Sequence, residues 1–105
     1  MNNELTEIID RIIGSVPVIK LYLFGSYVNG TPNENSDYDI YMVLPNNDVR
    51  PIDAIGDAHL SMRGLKVNPV DILAGTIQVF DRRKEQFTIE RKIASEGILL
   101  YERGQ

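Results

Sequence analysis

Residues 24–40 read FGSYVNGTPNENSDYDI, and the way this stretch divides decides the fold. It is entered through VIKLYLF at 18–24, β-branched and aromatic with Lys20 as its only charge, which predicts a mostly buried strand stopped by Gly25-Ser26. A short helix starts at Ser26 in this reading. Residues 29–36, NGTPNENS, are dense in turn formers and predict an exposed loop. Beyond it, DYDIYMVL at 37–44 alternates Asp37, Asp39, Tyr41 and Val43 against Tyr38, Ile40, Met42 and Leu44, a second strand that ends at Pro45. Alternate residues of a strand share a face, so Asp37 and Asp39 aim two carboxylates the same way. Like charges held together ask for a cation or a proton between them.

The remaining chain supplies the layers around these strands. NELTEIIDRIIG at 3–14 sets Leu5, Ile8, Ile9, Ile12 and Ile13 at helical spacing, closed by Gly14 and then Pro17. Asn46-Asn47-Asp48 reads as a turn, and Ile52, Ile55, Ala58 and Leu60 suggest a helix broken at Gly56. KVNPVDIL at 66–73 predicts a third strand, with Pro69 pointing to an edge or a bulge. Residues 76–96 predict one or two helices around Ile77, Phe80, Phe87, Ile89, Ile93 and Ala94, ended by Gly97 in the left-handed position. Ile98–Glu102 is a final strand. The order of elements predicts an α/β (α+β) fold, a small mixed β-sheet flanked by helices, in a single domain spanning 1–105.

Composition narrows the function classes. With 105 residues, 43% hydrophobic and 25% charged, the chain builds one core of ordinary globular composition. No apolar run approaches the roughly 20 residues of a membrane span, and MNNELTEIID lacks the basic and apolar regions of a signal peptide. The absence of cysteine excludes disulfides and thiolate metal sites and fits a cytoplasmic protein. A net charge of −4 argues against direct nucleic-acid binding over a broad surface. The basic cluster DRRKE at 81–85 is flanked by acids and reads as a solvated helix face. His59, the single histidine, has no metal-ligand candidates at helical spacing and reads as structural or superficial.

The chemistry concentrates in the opening stretch. A turn that ends a strand and feeds a helix offers unpaired N–H groups and the positive end of a helix dipole to phosphate. Gly25 lets the backbone come close, and the Ser26 hydroxyl either bonds a phosphate oxygen or caps the helix. Asp37 and Asp39 offer oxygens to Mg²⁺, which usually takes one or two carboxylates together with phosphates and water. Asp71, between Val70 and Ile72 in an apolar strand, is costly without a partner and completes the cluster. Plainer readings exist for several of these residues: a capping turn at Gly25-Ser26, a turn-closing acid at Asp37, a wetted edge residue at Asp71, and strand tyrosines with polar ends at Tyr38 and Tyr41. Asp39, inside an apolar strand, fits such a reading poorly.

Gly25-Ser26, ten intervening residues, Asp37-Tyr38-Asp39 and the later Asp71 together resemble the motif of the DNA polymerase β-type nucleotidyltransferase superfamily. LFGSYVNG, SDYDIYMVL, VDIL and EGILLYER resemble, over nearly the whole chain, the minimal nucleotidyltransferase proteins. The resemblance implies a polymerase β-like fold and Mg²⁺-dependent nucleotidyl transfer from ATP. It assigns Asp37, Asp39 and Asp71 as catalytic carboxylates and metal ligands, and Gly25 and Ser26 to the nucleotide. It also implies an antitoxin that transfers AMP to a tyrosine of a HEPN-domain toxin, a protein adenylyltransferase. Two alternatives stay open: a non-catalytic antitoxin that covers a HEPN RNase, and transfer to a small molecule. Relatives of the latter kind generally carry an additional substrate-binding domain, for which 105 residues leave no room. Relatives often place arginine where Val28-Asn29 stand, so Lys20, Arg63 and Lys66 are candidate replacement cations. Ile93, Ile98, Leu99, Leu100 and Tyr101 either fill the core or offer a partner surface for a homo- or hetero-oligomer.

Overall fold

The computed structural model describes residues 3–30, 37–47 and 49–104, so most of the loop expected at 29–36, and Asp48 of the expected turn, lie outside the described residues. In chain order the elements are α1 (Asn3–Ser15), β1 (Lys20–Phe24), α2 (Ser26–Asn29), β2 (Tyr38–Leu44), α3 (Pro51–Ser61), β3 (Val70–Thr76), α4 (Ile77–Arg83), α5 (Ile89–Glu96) and β4 (Ile98–Glu102). The strands form one sheet in the order β3-β2-β1-β4. β2 runs parallel to β3, while β1 is antiparallel to both β2 and β4. Parallel neighbours need a long crossover, and α3 supplies it. The result is the mixed, helix-flanked sheet of an α+β fold.

The alternation in DYDIYMVL separates two cores. Tyr38, Ile40, Met42 and Leu44 pack with Leu5, Ile8, Ile9 and Ile12 of α1 and with Ala54 and Ala58 of α3. Tyr41 and Val43 face the other way, onto Phe80 of α4 and Ile93 of α5. Phe80 lies between two rings, 5.6 Å from Tyr22 and 5.3 Å from Tyr41. Ile8, Ile12, Ile40 and Met42 are fully buried, each contributing about 1.5–3 kcal/mol of hydrophobic free energy. β2 is therefore covered on both faces, and any carboxylate it carries must sit at its end.

Several boundaries differ from expectation. β1 opens at Lys20 rather than Val18, although the Ile19 N–H already donates to the Val43 carbonyl at 2.7 Å. α3 is opened by Pro51 and runs unbroken through Gly56, because the contacts of Ala54 and Ala58 outweigh the roughly 1 kcal/mol that a helical glycine costs. β3 starts after Pro69 rather than at Lys66 and continues to Thr76. Proline has no N–H for the ladder, and its carbonyl instead accepts from the Tyr38 N–H at 2.9 Å. Gly97 ends α5 in an extended conformation, φ −68°, and not in the left-handed one. Glycine is needed there for a different reason: a Cβ would stand 2.6 Å from the Ile93 carbonyl oxygen. Residues 76–96 make two helices, with the Thr76 and Thr88 hydroxyls accepting from the N–H groups of Val79 and Arg91.

One polar network joins the second core. The Tyr41 hydroxyl donates to Glu90 Oε2 at 3.0 Å, and Arg83 Nε donates to Glu90 Oε1 at 2.9 Å. Strand β2 and helices α4 and α5 are thus clamped through one buried carboxylate. The rest of the basic cluster is superficial, with Lys84 paired to Asp81 at 3.0 Å and Arg82 exposed, as is His59 on α3. Among the described residues no helix is long and apolar enough to cross a membrane.

Candidate active site

Sheet order and register bring the acidic motif together at one end of the central strands. Asp39 is the residue opposite Phe24 in β1 and opposite Asp71 in β3. Residues paired in register share a face, so the carboxylates of Asp39 and Asp71 project from adjacent strands about 4.8 Å apart. Asp37 lies one residue ahead of β2 on the same alternation. Asp39 is half-buried, whereas Asp37 and Asp71 are exposed. Asp71 is wetted because β3 is an edge strand, so exposure is the one respect in which the plainer reading of this residue holds.

Burial pushes the Asp39 carboxyl up, and the negative charges of Asp71 and Asp37 push it further. Three acids thus repel one another at this end of the sheet, which favours a proton or a cation among them. The turn at the end of β1 closes over the same carboxylate. Gly25 adopts φ +78°, and a Cβ built on it would fall 2.1 Å from Asp39 Oδ2. Glycine is therefore required twice, by its conformation and by the carboxylate behind it. Gly25→Ala is expected to displace the Asp39 side chain, lower the unfolding free energy by about 1–2 kcal/mol and leave a partly active protein. Urea unfolding with a parallel transfer assay reads both effects.

Gly25 also occupies the N-cap of α2, so Ser26 is the first residue of that helix and its hydroxyl is not the cap. α2 is a single turn of four residues. It is fixed by Tyr27, whose ring stacks on Tyr38 at 4.7 Å and so ties the Gly-Ser turn to the strand of the aspartates. One turn of helix carries only a small dipole. Positive charge for an anionic ligand must come from elsewhere.

A divalent cation suits the donor set. Mg²⁺ usually takes one or two protein carboxylates and leaves its other positions to phosphate and water. Among the described residues no three His, Cys, Asp or Glu side chains converge closely enough to hold an ion by themselves. Asp39 and Asp71, with Asp37 within electrostatic reach, could offer an ion two carboxylates and leave its other positions to phosphate and water.

Of the cations expected from sequence, Lys20 is displaced from the site. It lies four residues from Phe24 along β1, roughly 13 Å at strand rise, and pairs with Glu102 at 3.5 Å. Arg63 and Lys66 are exposed in the connection leading to the Val70 end of β3, the end that carries Asp71. A cavity of about 130 Å³ borders the Gly-Ser turn, lined by Phe24, Gly25, Val28, Ile89, Lys92, Ile93, Glu96 and Gly97. Lys92 was not marked by sequence, where it is one more charge on a helix face; only the seating of α5 beside Gly25 singles it out. A larger, shallow depression of about 410 Å³ lies at the opposite end of β2, around Asn46, Asn47, Arg50 and Asp53. Its main charges neutralise each other, Arg50 bonding Asp53 at 2.9 Å.

A family profile described as "Polymerase beta, Nucleotidyltransferase" matches residues 6–105. No curated protein sequence matches the chain. Among solved structures, one described as a toxin-antitoxin with AMP-PNP superposes with a TM-score of 0.65 at 22% identity, covering 99% of this chain and 77% of the other. A second, described as a nucleotidyltransferase from Sulfolobus solfataricus, superposes with a TM-score of 0.65 at 23% identity, covering 96% and 79%. At these identities the structures speak for the fold.

Proposed function

The chain belongs to the polymerase beta nucleotidyltransferase family, and from that premise we propose that it transfers AMP from ATP to a tyrosine hydroxyl of a HEPN-domain toxin, acting as that toxin's antitoxin. The observation that carries the reading is the pairing of Asp39 with Asp71 directly beside the Gly25 turn. The neighbour that combines a toxin-antitoxin pair with AMP-PNP supports both the nucleotide and the kind of partner.

In this reading Asp37 and Asp39 would hold Mg²⁺, and Asp71 would contribute a further carboxylate on the acceptor side. The ion, when bound, neutralises phosphate charge and polarises the phosphoryl oxygens. Gly25 leaves space for the Asp39 carboxylate, and Ser26 offers its hydroxyl to a phosphate oxygen. Asp71, the most accessible of the strand carboxylates, orients the acceptor hydroxyl and takes its proton. The acceptor oxygen bonds to the α-phosphorus, the bond from that phosphorus to the bridging oxygen breaks, and pyrophosphate leaves.

The test is direct. With labelled ATP, Mg²⁺ and the HEPN protein encoded beside it, the wild-type chain should transfer label to that partner, and Asp39→Ala should transfer none. Label persisting in Asp39→Ala removes the mechanism. A non-catalytic antitoxin is the second reading, favoured by the exposed Phe87, Ile98 and Leu99, which offer apolar surface to a partner. Full neutralisation of the toxin in cells by the Asp37→Ala/Asp39→Ala double variant would decide for it.

A further inference from the structure

We propose that Lys92 of α5 binds the terminal phosphates of the nucleotide, so that the site reads a triphosphate in preference to a monophosphate. This rests on the nucleotidyltransferase reading and extends it to a residue outside the Gly-Ser and aspartate motif. The sheet order gives the site a direction. Asp71 on β3 and Asp39 on β2 mark one flank, and the Gly25 turn at the end of β1 marks the other. A nucleotide held by carboxylates at one end and by the Gly-Ser turn at the other runs from β3 towards β1. Beside the Gly25 turn, on the face of the sheet where α5 packs, Lys92 of α5 lines the same cavity as Gly25.

Three further observations favour phosphate as its ligand. The cavity walls Phe24, Val28, Ile89 and Ile93 are apolar and suit the methylene stem of a lysine whose ammonium stays at the polar rim. Among the described residues Lys92 forms no ion pair, although Glu96 one turn on lines the same cavity, so its charge is available to a ligand. Finally, α2 is a single turn with a small dipole and the neighbouring side chains of the motif are acids, so a triphosphate here calls for a cation from another element. Lys92 supplies one.

Calorimetric titration of wild type, Lys92→Ala and Lys92→Arg with ATP, AMP and inorganic tripolyphosphate, each in the presence of Mg²⁺, tests the assignment. Lys92→Ala should bind ATP and tripolyphosphate about tenfold more weakly, the loss of one charge-assisted hydrogen bond, and AMP as wild type does. Lys92→Arg should restore most of the affinity. Equal weakening of ATP and AMP with tripolyphosphate unchanged would place Lys92 at the nucleoside and overturn the assignment, as would unchanged ATP affinity in Lys92→Ala. A wild-type chain that binds none of the three overturns the nucleotidyltransferase reading itself, and the two failures are thereby distinct.

Discussion

Asp39→Asn is expected to abolish nucleotide transfer and at the same time to raise the thermal stability of the metal-free protein. The two effects have one origin. Asp39 is half-buried behind the Gly25 turn, faces Asp71 across the strand pair and feels Asp37 two residues back. Desolvation and like charges therefore act against its ionised form. An amide keeps the shape and removes the charge, which relieves the repulsion in the absence of a cation. A rise of roughly 2–5 °C in Tm is expected for a domain of this size. Transfer should fall by about 10³-fold or more, since charge stabilisation by a bound divalent ion is worth several kcal/mol in the transition state. Thermal unfolding in chelator and the labelling assay with the HEPN partner measure the two sides. Residual transfer within about tenfold of wild type, or a lowered Tm, contradicts the assignment of Asp39 as the central carboxylate. Added Mg²⁺ should narrow the stability gap, because ligand bound only to the folded state favours wild type.

Residues with a strict local pattern were legible in the sequence. DYDIYMVL announced both a strand and two opposed faces, and each face met its own helices. The carboxylate pair was legible for the same reason, since period-2 geometry is a property of neighbours in the chain. Asp71 was marked by sequence as a costly acid in an apolar strand, but the edge position of β3 leaves it exposed, and its register opposite Asp39 is a long-range fact set by the α3 crossover. Errors arose where a tertiary contact overrode a local signal. Gly56 marks a break only until Ala54 and Ala58 are packed, and Gly97 signals a left-handed cap only until the approach of the Ile93 carbonyl is known. Glu90 and Lys92 sit two residues apart and five and seven residues beyond the basic cluster at 81–85, in a charged stretch where nothing in the sequence separates a solvated charge from a buried or site-facing one. Burial of Glu90, 7% exposed, depends on Tyr41 from a strand 49 positions away.

That buried glutamate carries the second large effect: Glu90→Ala should lower the unfolding free energy by about 2–3 kcal/mol, the cost of leaving a buried donor and part of an ion pair unsatisfied. Tyr41 would lose the acceptor of its hydroxyl in a site that Phe80 and Ile93 close to water. Arg83 is 43% exposed and regains water, which keeps the cost below that of a fully buried pair. Acid sensitivity identifies the group. Burial raises the Glu90 carboxyl, but hydrogen bonds from Arg83, from its own backbone N–H and from Tyr41 outweigh it, and the net shift is below the ordinary value of 4.5. A carboxyl depressed on folding contributes stability above its unfolded pKa and loses it as pH falls through the folded value. Wild type should therefore lose stability more steeply than Glu90→Gln from about pH 5 downward, read from urea midpoints across that range. Parallel curves would mean that the charge on Glu90 contributes nothing to folding. Since the same carboxylate clamps α5 to β2, Glu90→Ala should also loosen the wall that carries Lys92 and weaken ATP binding, whereas Glu90→Gln, which keeps an acceptor for Tyr41, should largely preserve it.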